Sequence, residues 1–238
     1  MVLLGKVYLI PTPLGDNNPL EVIPLRIKKI IENIDYYIVE NEKSARGFIK
    51  SISPNKAQNK LQIFLLNKFT DPQDIPSFLT PCLEGHNIGI LSEAGCPGIA
   101  DPGAQVVAYA HQQNITVVPI SGPSSIFLAL MSSGLNGQSF TFHGYLPISK
   151  PERKHTLKRI EKTSGELYQS QIFIETPYRN DGLLEDILNT LSPSTLLCVA
   201  CDLTLPTEFI RTQTVAQWKK NKVELHKRPS VFIILKET

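Results

Sequence analysis

The sequence predicts an α/β protein with two sheet-bearing halves, and three observations carry that reading. Short apolar runs alternate with helical patterns through the first half. In the second half, strand begins to follow strand directly. Three loops rich in glycine and proline stand where strands of the first half end.

Val7 to Ile10 is the first strand. A helix follows near Pro24 to Asn33, where Pro24 suits the first turn. Ile23, Ile27, Ile30, Ile31 and Ile34 keep the 3–4 residue spacing of a buried stripe. Tyr36 to Val39, Leu61 to Leu66, Ile88 to Leu91 and Thr116 to Ile120 read as further strands, with a helix over Ala104 to Gln113. Continuous apolar strands separated by helices argue for a parallel sheet covered on both faces.

Strands in the second half are Phe140 to Tyr145, Gln171 to Ile174, Leu196 to Ala200, Phe209 to Thr212 and Ser230 to Leu235. Helices are expected over Ile126 to Met131, Pro151 to Lys162, Gly182 to Leu191 and Val215 to Lys219. The strands after Leu196 follow one another too closely for crossover helices, so this sheet should be mixed. The segment Ser121 to Gln138 holds the boundary, giving domains 1–120 and 121–238 with no long linker. A cleft between two such halves is a favoured place for a ligand.

The 238 residues carry a formal charge of only +2, so no overall polycation advertises nucleic acid. No apolar run reaches the roughly 20 residues of a membrane span. The opening MVLLGKVYLI lacks a basic leader and reads as a strand, which makes the cytoplasm the default location. Cys198 and Cys201 form a Cys-x-x-Cys flanked by Leu, Val and Ala. That context suits a buried strand with its thiols on opposite faces better than a redox or zinc site. The five histidines never recur at ligand spacing, so no metal site is expected.

In open α/β sheets, ligands bind beyond the carboxyl ends of the strands. There the chain places Pro11-Thr-Pro-Leu-Gly-Asp16, Ser92 to Gly103, and Ser121-Gly-Pro-Ser-Ser125. Gly95, Gly98 and Gly103 open backbone angles closed to other residues and admit a ligand to main-chain atoms. Pro97 and Pro102 limit the entropy lost on binding. The helix opening at Ser124 offers free N–H groups suited to a carboxylate. Taken singly, each loop could be an ordinary tight connection. No Gly-x-Gly-x-x-Gly follows the first strand and no Gly-Lys-Ser/Thr occurs, which disfavours dinucleotide and ATP chemistry. The residues alone lead to a rigid, backbone-lined pocket for a medium-sized ligand.

The set PTPLGD, LSEAGCPGIADPG, PISGPSS and IFIETPYR, in that order, resembles the tetrapyrrole methylase superfamily, and most closely its ribosomal RNA small subunit methyltransferase I branch. The resemblance runs from about Val7 to Leu235. It implies a tetrapyrrole-methylase-like fold of two α/β/α domains with S-adenosylmethionine in the cleft between them, and a homodimer. By motif, it implies that Leu14, Ser92, Glu93, Ala94, Gly95, Ile99 and Asp101 line the cofactor. It adds Ser124 and Ser125 at the methionine portion, Glu175, Thr176 and Pro177 from the second domain, and Leu203 near the adenine. Two family patterns are altered. An acidic EDTR segment appears as Glu40-Asn-Glu-Lys43, and RELTK appears as Cys201-Asp-Leu-Thr-Leu205, without its basic residues. Longer members also continue past the point where this chain ends.

The function this implies is methylation of small-subunit ribosomal RNA at a ribose 2′-hydroxyl. A hydroxyl acceptor needs a base. Glu40 and Glu42 are the candidates, with Lys43 or Arg46 holding a phosphate; alternatively Glu42, Lys43 and Arg46 are a solvated helix turn. Glu175 and Arg179 could form a structural ion pair. The stretch Lys150 to Lys162, with six Lys/Arg and two Glu, could face RNA phosphates while Leu157 and Ile160 face the core. Tyr145 and His143 could stack on a base or lie buried in their strand. Two other functions compete: methylation of a tetrapyrrole-like small molecule, and a non-catalytic relative that only holds cofactor or RNA.

Overall fold

The computed structural model describes residues 4–221 and 223–237. The first three residues of the N-terminal stretch read as a strand lie outside them. The chain divides into two compact units, Met1–Ser124 and Ser125–Thr238; the sequence placed the division after Ile120.

The first unit contains β1 (Lys6–Ile10), α1 (Pro19–Val22), α2 (Arg26–Glu32), β2 (Tyr36–Val39), α3 (Glu42–Ile52), β3 (Gln62–Leu65), α4 (Ile75–Phe78), α5 (Thr80–Leu83), β4 (Ile88–Leu91), α6 (Gly103–Gln112) and β5 (Thr116–Pro119). Its five strands run in the order β3-β2-β4-β1-β5, and every pairing is parallel. Both faces are buried, as alternation requires. Ile10, Tyr37 and Val39 join Ile27, Ile31 and Ile49 in one core layer, while Val7 and Ile38 join Val106 and Ala110 in the other. Gly89 is needed at the centre, because a Cβ there would lie 2.9 Å from both Ile10 and Tyr37.

The helix expected over Pro24 to Asn33 shortens to Arg26–Glu32. Helix α3, of which the sequence offered only a first turn at Glu42, Lys43 and Arg46, has strong local causes. The Asn41 side chain accepts from the N–H groups of Lys43 and Ser44, and Ala45, Ile49 and Ile52 form its buried stripe. Ile10, Val39 and Leu91 lie in register. The segments that follow β1, β2 and β4 therefore emerge along one edge of the sheet.

The second unit contains α7 (Ser125–Ser133), β6 (Phe140–Tyr145), α8 (Lys150–Leu167), β7 (Ser170–Ile174), α9 (Asn180–Thr190), β8 (Leu196–Cys201), β9 (Phe209–Thr214), α10 (Val215–Trp218) and β10 (Ser230–Leu235). The order β6-β7-β10-β8-β9 combines one parallel pairing, β6 with β7, with antiparallel pairings elsewhere. Leu157, Ile160, Leu183, Ile187 and Trp218 pack on one face of this sheet with Phe173, Val199, Cys201 and Phe232. Trp218 Nε1 donates to the Leu197 carbonyl at 2.8 Å, so its buried indole keeps a partner.

Cys198 and Cys201 are both fully buried in β8. Burial pushes both thiols up, Cys201 to about 11. Among the described residues, no cluster of His, Cys, Asp and Glu could hold a metal ion, and no helix is long and apolar enough to cross a membrane.

Candidate active site

The three unusual loops of the first unit form one structure. Thr12 and Gly95 exchange backbone hydrogen bonds at 3.0 and 3.1 Å, joining the loop after β1 to the loop after β4. Cys96 Sγ donates to the Pro123 carbonyl at 3.4 Å, which joins in the third. Gly122 packs so closely on Pro11 that a Cβ there would lie 2.1 Å from the ring.

The 92–103 loop is held by its own chemistry. Ser92 Oγ donates to the Gly95 carbonyl at 2.9 Å, and Asp101 Oδ1 accepts from Gly98 N at 3.0 Å and Gly103 N at 2.6 Å. Gly95 and Gly98 sit at φ of 76° and 82°, and Ala100 takes a left-handed angle at some strain. This loop leaves Glu93, Ala94 and Ile99 exposed while Ser92 and Gly95 are buried. Leu14 lies against Gly95, with its Cδ2 3.1 Å from where a Cβ would stand.

Three carboxylates meet at this sheet edge. Glu40, directly after β2, has the Asp101 and Glu93 carboxylates as its charged neighbours. Burial first, then the neighbouring charge of Asp101, push the Glu40 carboxyl above the usual carboxylate range. Glu93 Oε1 accepts from Ser44 Oγ at 2.7 Å, tying the loop to α3. The other two catalytic candidates are placed differently. Glu42 is half-exposed in the first turn of α3 and bonds Arg46 at 2.7 Å, and Arg46 also donates to the Gln58 carbonyl. Lys43 is exposed in the same turn. The sequence named Glu40 but had no means of pairing it with Asp101, which lies 61 positions away.

Beside this edge lies a pocket of about 410 Å3, contained within the first unit. Val39, Leu91, Ser92 and Glu93 form its floor at the ends of β2 and β4. One wall is the segment from Thr12 to Pro19, and the other is the α3 face carrying Ser44, Gly47, Phe48 and Ser51.

In the second unit, Ser125 opens α7. Glu175 is buried and accepts from the Thr176 N–H at 2.7 Å and from Arg179 Nη2 at 2.6 Å. Its charge is thus occupied by the ion pair weighed in the sequence. Leu203 is buried in the 202–208 loop, where a cation missing from the local sequence returns from elsewhere. Arg228 Nε donates to Asp202 Oδ2 at 2.7 Å and its Nη2 to the Thr207 carbonyl at 2.7 Å. The Arg228 carbonyl accepts from Asn180 at 2.6 Å, and Lys227 N donates to the Pro177 carbonyl at 3.0 Å. One segment, 227–228, therefore pins both the 177–180 turn and the 202–208 loop. Asp202, Thr204 and Lys227 all take left-handed angles there.

The basic stretch on α8 differs from its expectation. Glu161 and Ser164 are buried together with Leu157 and Ile160, and Glu161 accepts from Ser192 N and Thr195 Oγ1. Arg153 and Lys150 turn to the buried Asp186. His155, Lys158, Arg159 and Lys162 remain exposed. Tyr145 is exposed rather than buried in its strand, and His143 bonds Gln171 at 2.7 Å.

The chain thus combines a parallel sheet, with a glycine-shaped loop system at its carboxyl edge, and a mixed-sheet unit. Residues 6–218 match the tetrapyrrole (corrin/porphyrin) methylases, and the chain belongs to that family of methyltransferases. It is 30% identical to the ribosomal RNA small subunit methyltransferase I of Escherichia coli O157:H7, over 97% of this chain and 77% of that protein. To the protein of the same name from Thermotoga maritima it is 29% identical, over 92% of this chain and 94% of the other. The fold is similar to that of the methyltransferase CobJ, with TM-score 0.63, 13% identity, and coverage of 98% and 94% of the two chains. It is also similar to the uroporphyrin-III C-methyltransferase of Thermus thermophilus complexed with S-adenyl homocysteine, with TM-score 0.57, 15% identity and 98% of each chain covered.

Proposed function

We propose that the protein transfers a methyl group from S-adenosylmethionine to a ribose 2′-hydroxyl of small-subunit ribosomal RNA. The observation that carries this reading is the kinship, over nearly the whole chain, with proteins named for small-subunit ribosomal RNA methylation. The first-unit loops fit such a cofactor. They are rigid before any ligand arrives, and glycine clears the approach to their main-chain atoms. Leu14, Ser92, Glu93, Ala94, Gly95, Ile99, Asp101, Ser124 and Ser125 are the proposed cofactor residues of this loop system. Glu175, Thr176, Pro177 and Leu203 are those of the second unit.

When bound, the cofactor supplies a methyl group activated on a sulfonium. The protein's share is to hold the acceptor oxygen in line with that methyl and to remove its proton. Glu40 is the proposed base. Its raised pKa makes its ionised form a stronger proton acceptor than an ordinary carboxylate. Exposed Lys158, Arg159 and Lys162 are the proposed phosphate contacts, the homodimer is the proposed assembly and the cytoplasm the proposed location. Incubating the protein with isolated small ribosomal subunits and methyl-labelled S-adenosylmethionine tests the reading. One 2′-O-methylated nucleoside should appear in the digest, whereas label absent from RNA would reject the ribosomal substrate.

A further inference from the structure

We propose that the pocket between the Thr12–Pro19 segment and α3 is the acceptor site, and that it seats one unstacked nucleoside. The inference rests on the ribosomal reading above and gives that reading a place in the fold.

The lining chemistry selects the ligand. No Lys, Arg or His is among the lining residues, while Asp16 and Glu93 are. A tetrapyrrole bearing many carboxylates would meet like charge with nothing to neutralise it. A nucleoside is uncharged apart from its flanking phosphates, and its ribose hydroxyls and base amino groups are hydrogen-bond donors that carboxylates accept. The volume of about 410 Å3 lies at the small end of the ~300–1,000 Å3 range of ligand pockets, suiting one nucleoside. Phe48 offers a half-buried aromatic surface in the same wall. Val39 of the floor directly precedes Glu40, the proposed base, which itself lies outside the pocket lining on the Asp101 side of the strand end.

Gly47 is the second, independent observation. It sits in the interior of α3, where glycine weakens a helix relative to alanine. Other glycines of this unit have packing reasons: a Cβ at Gly5, Gly89 or Gly122 would collide with neighbours. A Cβ at Gly47 would meet nothing within 4 Å, so the fold does not require glycine there. Gly182, in the first turn of α9, is open and exposed like Gly47, but of the two only Gly47 lines this pocket. The space beside Gly47 is kept for a ligand.

The test uses Gly47→Leu and Ser51→Phe, which fill the pocket from its α3 wall and leave the residues of the cofactor loops unchanged. Both variants should melt at or above the wild-type temperature and bind S-adenosylmethionine within about twofold of wild type. Methyl transfer to isolated small ribosomal subunits should fall at least about tenfold in kcat/KM, and Gly47→Ala should lie between the extremes. Folded, cofactor-binding variants that methylate as fast as an active wild type overturn the pocket alone. A wild type that binds cofactor but leaves the subunits unmethylated overturns the ribosomal reading, and the nucleoside site with it.

Discussion

In the first unit, the 92–103 loop is stiffened by backbone geometry: left-handed glycines, two prolines, and Asp101 capping two N–H groups within its own turn. In the second unit, the 202–208 loop adds to its local bonds, Thr207 Oγ1 to Asp202 and Thr204 N to Glu208, one side chain from 26 residues away, with Arg228 bonding Asp202 and the Thr207 carbonyl. The first device spreads its cost over many small local terms. The second rests in addition on one ion pair, whose aspartate is only 8% exposed. Arg228 and Asp101 are therefore the single side chains whose loss the two loops should feel most.

The largest effect should follow Arg228→Met. The change takes the cation from a buried carboxylate and loosens the 202–208 loop, while the 177–180 turn keeps its bonds to the 227–228 backbone. The loss of stability should be roughly 2–3 kcal/mol, below the ~3–5 of a fully buried pair because Arg228 keeps 28% of its side-chain surface. Cofactor affinity should drop about tenfold if Leu203 serves the adenine. Adding Asp202→Asn to the same chain should recover part of the stability, since the orphaned charge is gone. Chemical denaturation and calorimetry on the two single variants and the double variant read both numbers.

Glu40 sharpens the other half of the comparison. Glu40→Gln should lower the transfer rate by about 10²–10⁴-fold with cofactor affinity unchanged. Its effect on stability has the opposite sign to its effect on rate. A carboxyl whose folded pKa is raised stabilises the fold fully below its unfolded pKa, and that contribution is lost as pH rises through the folded value. At neutral pH the glutamine variant should therefore melt slightly higher than wild type. Asp101→Ala should move the acid limb of the pH–rate profile to lower pH, because Asp101 is the chief neighbour raising Glu40. It should also loosen the loop by about 1–3 kcal/mol through two unsatisfied N–H groups. An unmoved acid limb would remove Glu40 from the role of base.

The smallest effects belong to the exposed cations of α8. Lys158→Ala and Lys162→Ala should each change stability by less than about 0.5 kcal/mol. If they meet phosphates, each should reduce the salt dependence of RNA binding by about one counterion. Filter binding across a salt series measures this, and an unchanged slope would return the face to simple solvation.

The same contrast explains what was legible in the sequence. Glycine and proline spacing announces its geometry locally, so the loops after β1, β4 and β5 were readable, as were the parallel and mixed sheets. Helix α3 is equally local, with Asn41 as cap and Ala45, Ile49 and Ile52 as stripe. Its first turn was legible as the helix-turn alternative for Glu42, Lys43 and Arg46. Contacts over long separations were not readable. Glu40 with Asp101, Arg228 with Asp202, and Glu161 with Thr195 depend on the whole fold bringing side chains together. The 201–205 segment lacks the basic residues of the family pattern, whereas a cation, Arg228, reaches Asp202 from another strand connection. Gly47 was silent because an unexplained glycine shows itself only once its neighbours are known to be absent.

The most direct test of the account is a calorimetric titration of the purified protein with S-adenosylmethionine, beside an Ala94→Trp variant. Ala94 is exposed on the loop after β4, so the fold can accept the larger side chain. The account predicts one site per wild-type chain, and a variant that melts like wild type but no longer binds. A folded wild type that takes up no cofactor, and carries none through purification, would contradict it.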